Sequence, residues 1–324
     1  MITISTKGCL AAASILSLIL LGQCTPKSTE TDSSGSITSA APRTPLKISL
    51  AEWSIHRSLD EGVLKAEDFA SIAKNDFGVD AVEYVASFYR DHATDESYWK
   101  MMRHRSDSLG VKNLLIMVDE EGDLGSGDPV ARKKAVENHY KWVNAASILG
   151  CHSIRVNAFG EGTKDEMKAH MVDALKQLCS YANEKNINVL IENHGLYSSD
   201  GEWVATVILE VGMPNCGTLP DFGNWCTSEK WGSTEAGKPC ANVYDRYKGV
   251  SEMLPFAKGL SAKSYAFDAQ GNETIIDFSK MLKMIKDNPD FTGYVDIEYE
   301  GSQLSEPEGI RATKALLERT WNDL

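Results

Sequence analysis

Three acidic residues of this chain come at points where an apolar segment of the sequence turns polar. They are Glu192, Asp221 and Glu298. Carboxylates that converge in a folded protein repel one another, and a divalent cation bound by oxygen and nitrogen ligands is the usual compensation. A bound cation polarises a sugar carbonyl, and a flanking carboxylate can then remove the proton from the adjacent carbon. The sequence therefore predicts enolisation chemistry if these residues meet.

The same change from apolar to polar residues recurs at seven of eight predicted strand ends. The other polar residues at these points are His56, Asp119, Asn157, His194, Asn224, Lys263 and Glu300. Because side chains alternate along a strand, Glu192 and His194 share one face, and Glu298 shares a face with Glu300. A single polar strand end is ordinary, but this recurrence indicates a common site.

Eight short apolar segments alternate with stretches of helical spacing. The predicted strands are Lys47–Trp53, Ala81–Val85, Asn113–Val118, Ser153–Val156, Val189–Ile191, Gly217–Leu219, Gly259–Ala262 and Gly293–Ile297. This order predicts a single-domain α/β protein with a (β/α)8 TIM barrel, whose active site lies at the C-terminal strand ends. The alternative is a doubly wound open sheet, which usually has a glycine-rich phosphate loop after the first strand; none is present.

The N-terminal residues have the composition of a targeting segment and a tether. Residues 1–23 contain Lys7 and an apolar run, which is typical of a signal peptide, and the sequence before Cys24 resembles a bacterial lipobox. An uncleaved hydrophobic anchor is the alternative. Residues 24–45 are rich in Ser, Thr and Pro and predict a flexible linker after a lipidated Cys24. The folded domain is then 46–324, and we expect it outside the cytoplasm, lipid-anchored to a bacterial membrane in the periplasm or at the outer membrane.

Charge and cysteine content narrow the classes of partner and site. The formal net charge is −13, and no Lys/Arg cluster suggests a nucleic-acid partner. Cys226 and Cys240 flank a polar loop, where a disulfide is plausible in an oxidising compartment. The other three cysteines beyond the N-terminal segment, Cys151, Cys179 and Cys216, fall in apolar patterns that predict core positions.

From about residue 47 onward, the sequence resembles the xylose isomerase-like sugar phosphate isomerase/epimerase superfamily. The motifs that carry the resemblance are LIENHG, LPDFGN, AKSYAFDAQGNETIIDF and GYVDIEYEG. The resemblance implies a TIM barrel whose metal ligands are Glu192, Asp221 and Glu298, with the two Glu residues also acting as the acid/base pair. The metal would be Mn, Zn, Co or Mg. Ser261 stands where the superfamily has a histidine ligand.

Because of this departure, the sequence does not decide which group completes the metal site or supplies the positive charge there. His194 or His56 would be another ligand, or, without a metal, Lys263 would supply the charge. The residues expected to contact substrate are His194, Asn224, His56, Trp53, Asn157 and Glu83. Trp53 is equally consistent with core packing, and Glu83 with a structural salt bridge.

The predicted function is that of an isomerase or epimerase acting on an unphosphorylated keto- or aldo-sugar, with metal-assisted stabilisation of the enolate. One alternative is a lyase or hydratase that uses the same enolate on 3-keto-glycosides or 3-keto-glucal-type sugars. Another is a sugar-binding lipoprotein without catalysis. A nuclease of the same superfamily would need a His-rich trinuclear zinc site and a basic surface, and the sequence has neither.

Overall fold

The computed structural model describes residues 45–324, and within them eight parallel strands form a nearly closed barrel. The strands are β1 Ile48–Ala51, β2 Ala81–Val85, β3 Lys112–Val118, β4 Ser153–Asn157, β5 Asn188–Glu192, β6 Cys216–Leu219, β7 Gly259–Ser264 and β8 Tyr294–Tyr299. The predicted (β/α)8 fold is confirmed. The predicted signal peptide and most of the linker, including Cys24, lie outside the described residues.

Helices connect the strands on the outside of the barrel. They are α1 His56–Asp60, α2 Phe69–Phe77, α3 Glu96–Leu109, α4 Pro129–Leu149, α5 Lys164–Asn183, α6 Gly201–Val211, α7 Arg246–Met253, α8 Phe278–Lys286 and α9 Glu306–Asp323. The predicted capping box begins α5, where the side chains of Thr163 and Glu166 bond to each other's backbone N–H groups. No helix within 45–324 is both long enough and apolar enough to cross a membrane.

The sheet follows the order β6-β5-β4-β3-β2-β1-β8-β7, with every neighbouring pair parallel. Short bridges join Thr218 to Ala257 and Asp221 to Ser261, which brings β6 and the loop after it against β7. This contact nearly closes the ring. The segment that carries Asp221 therefore takes part in the closure and is held on both sides.

Alternate residues of the strands face two different cores. The outward residues, such as Val295 and Ile297 of β8, pack against the helices in the main apolar cluster. A small second cluster, which includes Val85, Met117 and Leu190, fills part of the barrel interior. The remaining interior positions are polar and buried, and charged side chains there need partners from neighbouring strands.

The first strand ends earlier than the sequence predicted. β1 stops at Ala51, and Glu52–Ile55 form a 3-10 turn before α1 begins at His56. The prediction that His56 ends a strand is therefore wrong, because the chain turns outward four residues sooner. At the other end of the chain, β8 extends to Tyr299, so Glu298 lies within the strand.

Candidate active site

The three acidic residues at the apolar-to-polar transitions meet at the C-terminal end of the barrel. Glu192 ends β5, Glu298 lies near the end of β8, and Asp221 follows β6 by two residues. One carboxylate oxygen of each lies within 4.8 Å of those of the other two. All three side chains are buried, so their charges interact strongly.

Asp221 is held in place by backbone hydrogen bonds. Its Oδ1 accepts from the backbone N–H groups of Gly223, at 2.7 Å, and Asn224, at 2.6 Å. The side chain of Asn193 donates to the Asp221 carbonyl at 3.0 Å, and its Oδ1 accepts from the Asp221 N–H at 2.7 Å. Asn193 thus ties the end of β5 to the loop after β6 and fixes the carboxylate of Asp221.

Lys263 of β7 places an ammonium group among three carboxylates. Its Nζ lies 3.6 Å from Asp221 Oδ2, 3.5 Å from Glu298 Oε2 and 3.3 Å from Glu300 Oε1. The lysine side chain is buried, and these carboxylates raise its pKa well above the ordinary value despite the opposing effect of desolvation. Lys263 therefore carries a permanent positive charge beside the cluster.

Arg155 of β4 is the second buried cation of this site. Its Nε lies 2.7 Å from Glu192 Oε2, although this approach lacks hydrogen-bond geometry. Its Nη1 donates to Asp119, which follows β3. Burial raises the pKa of Asp119, but the charge of Arg155 together with the hydrogen bonds from Arg155 and Asn157 outweighs it and holds the pKa at about 2. Asp119 is therefore ionised, and Arg155 joins two carboxylates from opposite sides of its strand.

The two glutamates have unequal surroundings. Burial raises the pKa of Glu192 to about 7, against the opposing influence of Arg155. Burial also acts on Glu298, but the Lys263 ammonium and a hydrogen bond from Ser261 bring its pKa below the ordinary value. The Ser261 hydroxyl donates to Glu298 Oε2 at 2.6 Å. The position of the expected histidine ligand is thus occupied by a hydroxyl that binds the neighbouring carboxylate.

His194 faces the space above the carboxylates. Its Nδ1 lies 2.8 Å from Asn157 Oδ1, and the Asn157 side-chain nitrogen donates to Asp119 at 2.9 Å. Burial and the nearby Arg155 charge lower the pKa of His194 to about 3, so the imidazole is neutral. Its ring packs edge-on against Trp231, with the ring centroids 5.0 Å apart. The contact with Asn157 therefore fixes the orientation of the His194 ring.

A cavity of about 360 Å³ opens above these groups, and we call it the inner cavity. Its lining residues are Trp53, Val85, Ser87, Met117, Asp119, Glu120, Arg155, His194, Trp231, Ser233, Glu298 and Glu300. Glu298 lines this cavity. Glu192 does not line it but contacts Arg155, which does. Asn224 also lies behind the surface, where its side-chain nitrogen donates to Glu192 Oε1 at 3.3 Å. The expected substrate contact at Asn224 is therefore corrected to support of Glu192.

Trp53 lines the inner cavity, and its ring stacks on His56 with centroids 4.4 Å apart. The His56 ring nitrogen Nδ1 lies 2.6 Å from the Trp53 carbonyl and 3.9 Å from Glu306. His56 does not line the inner cavity but a neighbouring one at the barrel rim. Within 45–324, no imidazole nitrogen joins the group of ligand atoms of Glu192, Asp221 and Glu298, so the structure does not bring His56 to the position of a fourth ligand.

Glu83 is not at the mouth of the barrel. β2 continues for two residues beyond it, to Val85, and Glu83 lies in the interior, where its Oε1 accepts from Ser49 at 2.8 Å. Burial raises its pKa to about 7. No cation within 45–324 pairs with Glu83, whose Oε2 is buried without a hydrogen-bond partner, so the structure does not support the expected salt bridge. Glu83 is also not among the residues that line the inner cavity, so the structure does not support the expected sugar contact.

The acidic triad could hold a metal ion. Glu192, Asp221 and Glu298 offer three oxygen ligands, and Asp221 Oδ2 is buried without any hydrogen-bond donor. A buried carboxylate oxygen with no donor is a group that a cation would satisfy. Lys263 lies 3.6 Å from the same oxygen and compensates part of its charge. The residues present therefore fit a cation with a preference for oxygen ligands.

Three functional residues were not found from the sequence. Arg155 was visible as a charged residue inside an apolar strand, which by itself indicates a buried ion pair. Asn193 and Trp231 gave no such indication, since their positions depend on the loops after β5 and β6. Cys226 and Cys240 form a disulfide across the second of these loops.

A family described as xylose isomerase-like TIM barrel matches residues 70–320. No curated protein sequence matches the chain. Among solved structures, 3-keto-D-glucoside 4-epimerase YcjR from E. coli is 13% identical with a TM-score of 0.60, and the match covers 85% of this chain and 99% of that one.

Two further solved structures are similar. The probable 3-DHS dehydratase AsbF from Bacillus anthracis is 15% identical with a TM-score of 0.59, over 85% of this chain and 100% of that one. The IolI protein with a bound zinc atom is 14% identical with a TM-score of 0.59, over 86% of this chain and 99% of that one. At these identities the likeness shows the fold alone.

Proposed function

The chain belongs to the xylose isomerase-like TIM barrel family, and from this premise we propose that it is an enzyme acting on an unphosphorylated sugar. The reaction would begin with removal of a proton from the carbon next to a sugar carbonyl. Return of a proton to another face or atom would give an epimer or isomer. Solved structures with the same fold include an epimerase of a keto-glucoside and a probable dehydratase.

One observation carries the proposal: a base and a fixed cation face the same cavity. Glu298 and Arg155 both line the inner cavity, and Glu192 lies within 4.8 Å of Glu298 behind that surface. A carboxylate at this place can accept the proton, and a guanidinium can stabilise the oxygen on which negative charge develops. The second carboxylate, Glu192, can return a proton, because its pKa of about 7 allows it to carry one.

Two other residues would orient the substrate. The neutral imidazole of His194 can exchange hydrogen bonds with sugar hydroxyls, and Asn157 fixes its ring. Trp53 offers an aromatic face for the apolar side of a sugar ring. A divalent ion held by Glu192, Asp221 and Glu298 would polarise the carbonyl and an adjacent hydroxyl.

The charge of the inner cavity supports an unphosphorylated substrate. Four acidic residues line it, namely Asp119, Glu120, Glu298 and Glu300, whereas Arg155 is its one Lys or Arg lining residue. Arg155 is already engaged with Asp119 and Glu192. A phosphate group would meet the repulsion of these four carboxylates, and the one guanidinium facing it is shared with two of the site's carboxylates.

A lyase or hydratase that acts on a 3-keto-glycoside is the second candidate. With a carbonyl at C3, removal of the C2 proton gives an enolate, whose electron pair then expels the anomeric substituent and leaves a C1–C2 double bond. The replacement of the usual histidine by Ser261 favours this candidate, because it changes the donor set of the site. The similarity to a probable dehydratase is a second reason.

We also propose that the protein is tethered outside the cytoplasm through Cys24. The N-terminal sequence is the basis for this proposal, and the disulfide between Cys226 and Cys240 agrees with an oxidising compartment. Globomycin, which blocks lipoprotein signal cleavage, should make the unprocessed chain accumulate. A cytosolic, unlipidated protein of unchanged mass would contradict the tether.

Solvent exchange tests the chemical proposal. The protein is incubated in D₂O with D-fructose, D-tagatose, D-psicose and the methyl 3-keto-D-glucopyranosides, with added Mn²⁺ or Mg²⁺. Deuterium at the carbon next to the carbonyl is measured by NMR and mass spectrometry. We expect exchange in the wild type, none above background in Glu298→Gln, and no epimer or isomer from Glu192→Gln. Glu96→Gln, at an exposed residue paired with Lys100, is the matched control and should keep full exchange.

The products separate the two candidates. A deuterated sugar of the same composition indicates an isomerase or epimerase, whereas release of methanol from the glycosides indicates a lyase. Exchange that persists in Glu298→Gln, or an epimer or isomer formed by Glu192→Gln, would reject the two-carboxylate mechanism. Binding of sugars without any exchange would favour the sugar-binding lipoprotein without catalysis.

A further inference from the structure

A second cavity adjoins the inner one at the barrel rim. It has a volume of about 380 Å³, and we call it the outer cavity. Four residues line both cavities: Trp53, Trp231, Ser233 and Glu300. The two cavities therefore meet along a shared boundary rather than lying at separate places. The inner cavity is at the small end of the range for ligand sites, so a single sugar ring would leave the outer one unfilled.

The loop from Cys226 to Cys240, which we call the disulfide loop, builds much of the outer cavity wall. Its ends are joined by the disulfide, and a backbone bridge between Gly195 and Lys230 fastens it to the segment after β5. Gly195 has φ +104°, and a Cβ there would lie 2.4 Å from the Glu229 carbonyl oxygen. The loop is thus attached at several points and holds a defined shape over the barrel mouth.

Trp231, in the disulfide loop, is placed at the boundary of the cavities in a costly backbone conformation. Its φ is +73°, a left-handed value that non-glycine residues rarely adopt, and its side chain is 43% exposed. An exposed tryptophan held in this conformation points to a functional reason for its position. Its ring packs edge-on against His194 and Phe159, while Trp53 lines the cavities as well.

The charges of the outer cavity favour an uncharged occupant. Its acidic lining residues are Glu229, Glu235 and Glu300, and its basic ones are His56, Lys230 and Lys238. Lys230 lies over the rings of Phe159 and Trp231, at 4.7 and 5.4 Å from their centroids, and Lys238 lies 3.9 Å from Glu235. The three acidic residues outnumber the two lysines, so a phosphate or carboxylate group would meet no excess of positive charge there.

We propose that the outer cavity is a second subsite, which binds the aglycone or second sugar ring of a glycoside whose first ring occupies the inner cavity. The substrate class is then an uncharged glycoside or disaccharide rather than a free monosaccharide. The proposal rests on the proposed function for the identity of the inner ligand. Stacking on Trp231 would supply most of the added affinity.

Calorimetric titration tests the subsite in Glu298→Gln, in which no turnover is expected. The probes are methyl and phenyl 3-keto-D-glucopyranosides, both anomers of each, with D-fructose as a single-ring ligand. We expect the phenyl glycoside of one anomer to bind at least about tenfold more tightly than its methyl counterpart. Adding Trp231→Ala should reduce this ratio below about threefold, whereas adding Trp231→Phe should keep most of it.

Each outcome decides the proposal. Equal affinities for phenyl and methyl glycosides, a ratio that Trp231→Ala leaves unchanged, or no binding of either glycoside would overturn the second subsite. Deuterium exchange by the wild type distinguishes this failure from failure of the proposed function. Exchange without a phenyl preference removes only the subsite, and a phenyl preference without exchange removes only the catalytic function.

Discussion

The guanidinium of Arg155 lies between the cavity and the carboxylate of Glu192, with Nε at 2.7 Å from Oε2. Both side chains are buried and come from the adjacent strands β4 and β5. Arg155 pairs with Leu190 of β5, two residues before Glu192. A carboxylate buried in the barrel would carry a large desolvation cost without this partner. The pair therefore stabilises the site and also limits access of substrate to Glu192.

Removing Arg155 should strongly destabilise the fold. Arg155→Met leaves Glu192 buried without its cation, and breaking such a pair costs roughly 3–5 kcal/mol. Urea unfolding at pH 7.5 would measure the loss. Adding Glu192→Gln should recover part of it, because the uncompensated charge is then absent.

Arg103→Met is the matched control for this loss. Arg103 is exposed and lies 3.6 Å from Asp107 on the same helix, so its loss should cost less than about 1 kcal/mol. Equal losses in free energy of unfolding for Arg155→Met and Arg103→Met would mean that the buried pair contributes no more to stability than an exposed one.

Metal content should depend on the acidic triad. We expect near-stoichiometric Mn, Zn, Co or Mg in protein purified as residues 46–324 and measured by plasma mass spectrometry. Glu298→Gln removes one of three charged ligands and should lower that content, whereas Glu96→Gln on the surface should not. Absence of metal from all three proteins would leave Lys263 and Arg155 as the site's positive charges.

Restoring a nitrogen ligand should change which metal binds best. Ser261→His places an imidazole next to Glu298, and imidazole favours zinc over the harder cations that prefer oxygen. The affinity for Zn²⁺, measured by calorimetry on metal-free protein, should rise about tenfold or more, which is about 1.4 kcal/mol. Ser261→Ala removes the hydroxyl without adding a ligand and should not raise it. Equal zinc affinities in both variants would refute a ligand position at residue 261.

Much of the fold was predictable because apolar strands and helical spacing alternate through the whole domain. The convergence of Glu192, Asp221 and Glu298 was predictable for the same reason, since strand ends of a barrel must meet. Position along a strand was less certain. Glu83 is expected from the sequence to contact substrate, but β2 continues to Val85 and leaves this carboxylate inside the barrel.

The loops explain the residues that sequence analysis missed. Trp231 lies in a long connection with no periodicity, and its place beside His194 depends on the disulfide and on the close approach of Gly195. His56 was misplaced because a 3-10 turn replaced the last residues of the predicted strand. These contacts are made between distant parts of the chain, so local patterns could not indicate them.

The disulfide should contribute to the stability of the loop region. Cys226 and Cys240 are 14 residues apart, and closing a loop of about 15 residues contributes about 3 kcal/mol in the chain-entropy description. The double variant Cys226→Ser/Cys240→Ser should unfold at a lower urea concentration than the wild type. Reductant should lower the wild-type midpoint and leave that of the variant unchanged. A wild type insensitive to reductant would contradict this contribution.

Glu52 should make stability fall as the pH rises. It is fully buried, and burial raises its pKa to about 8, although the Tyr89 hydroxyl and the Val85 N–H donate to it at 2.6 and 2.8 Å. In the unfolded chain its pKa is about 4.5. Between these pKa values the folded state retains a proton that the unfolded state has lost. The free energy of unfolding therefore falls by about 1.4 kcal/mol for each pH unit.

Glu52→Gln isolates this effect, because glutamine keeps the shape without the charge. Its amide can donate to Tyr89, whose hydroxyl is also 3.0 Å from the Ala66 carbonyl and can donate there. Urea unfolding at several pH values should give the difference in free energy of unfolding between the variant and the wild type. This difference should shift in favour of the variant by about 1.4 kcal/mol per pH unit between about pH 4.5 and 8, and should stay constant outside that window. A difference that does not change with pH would mean that Glu52 is ionised in the folded protein.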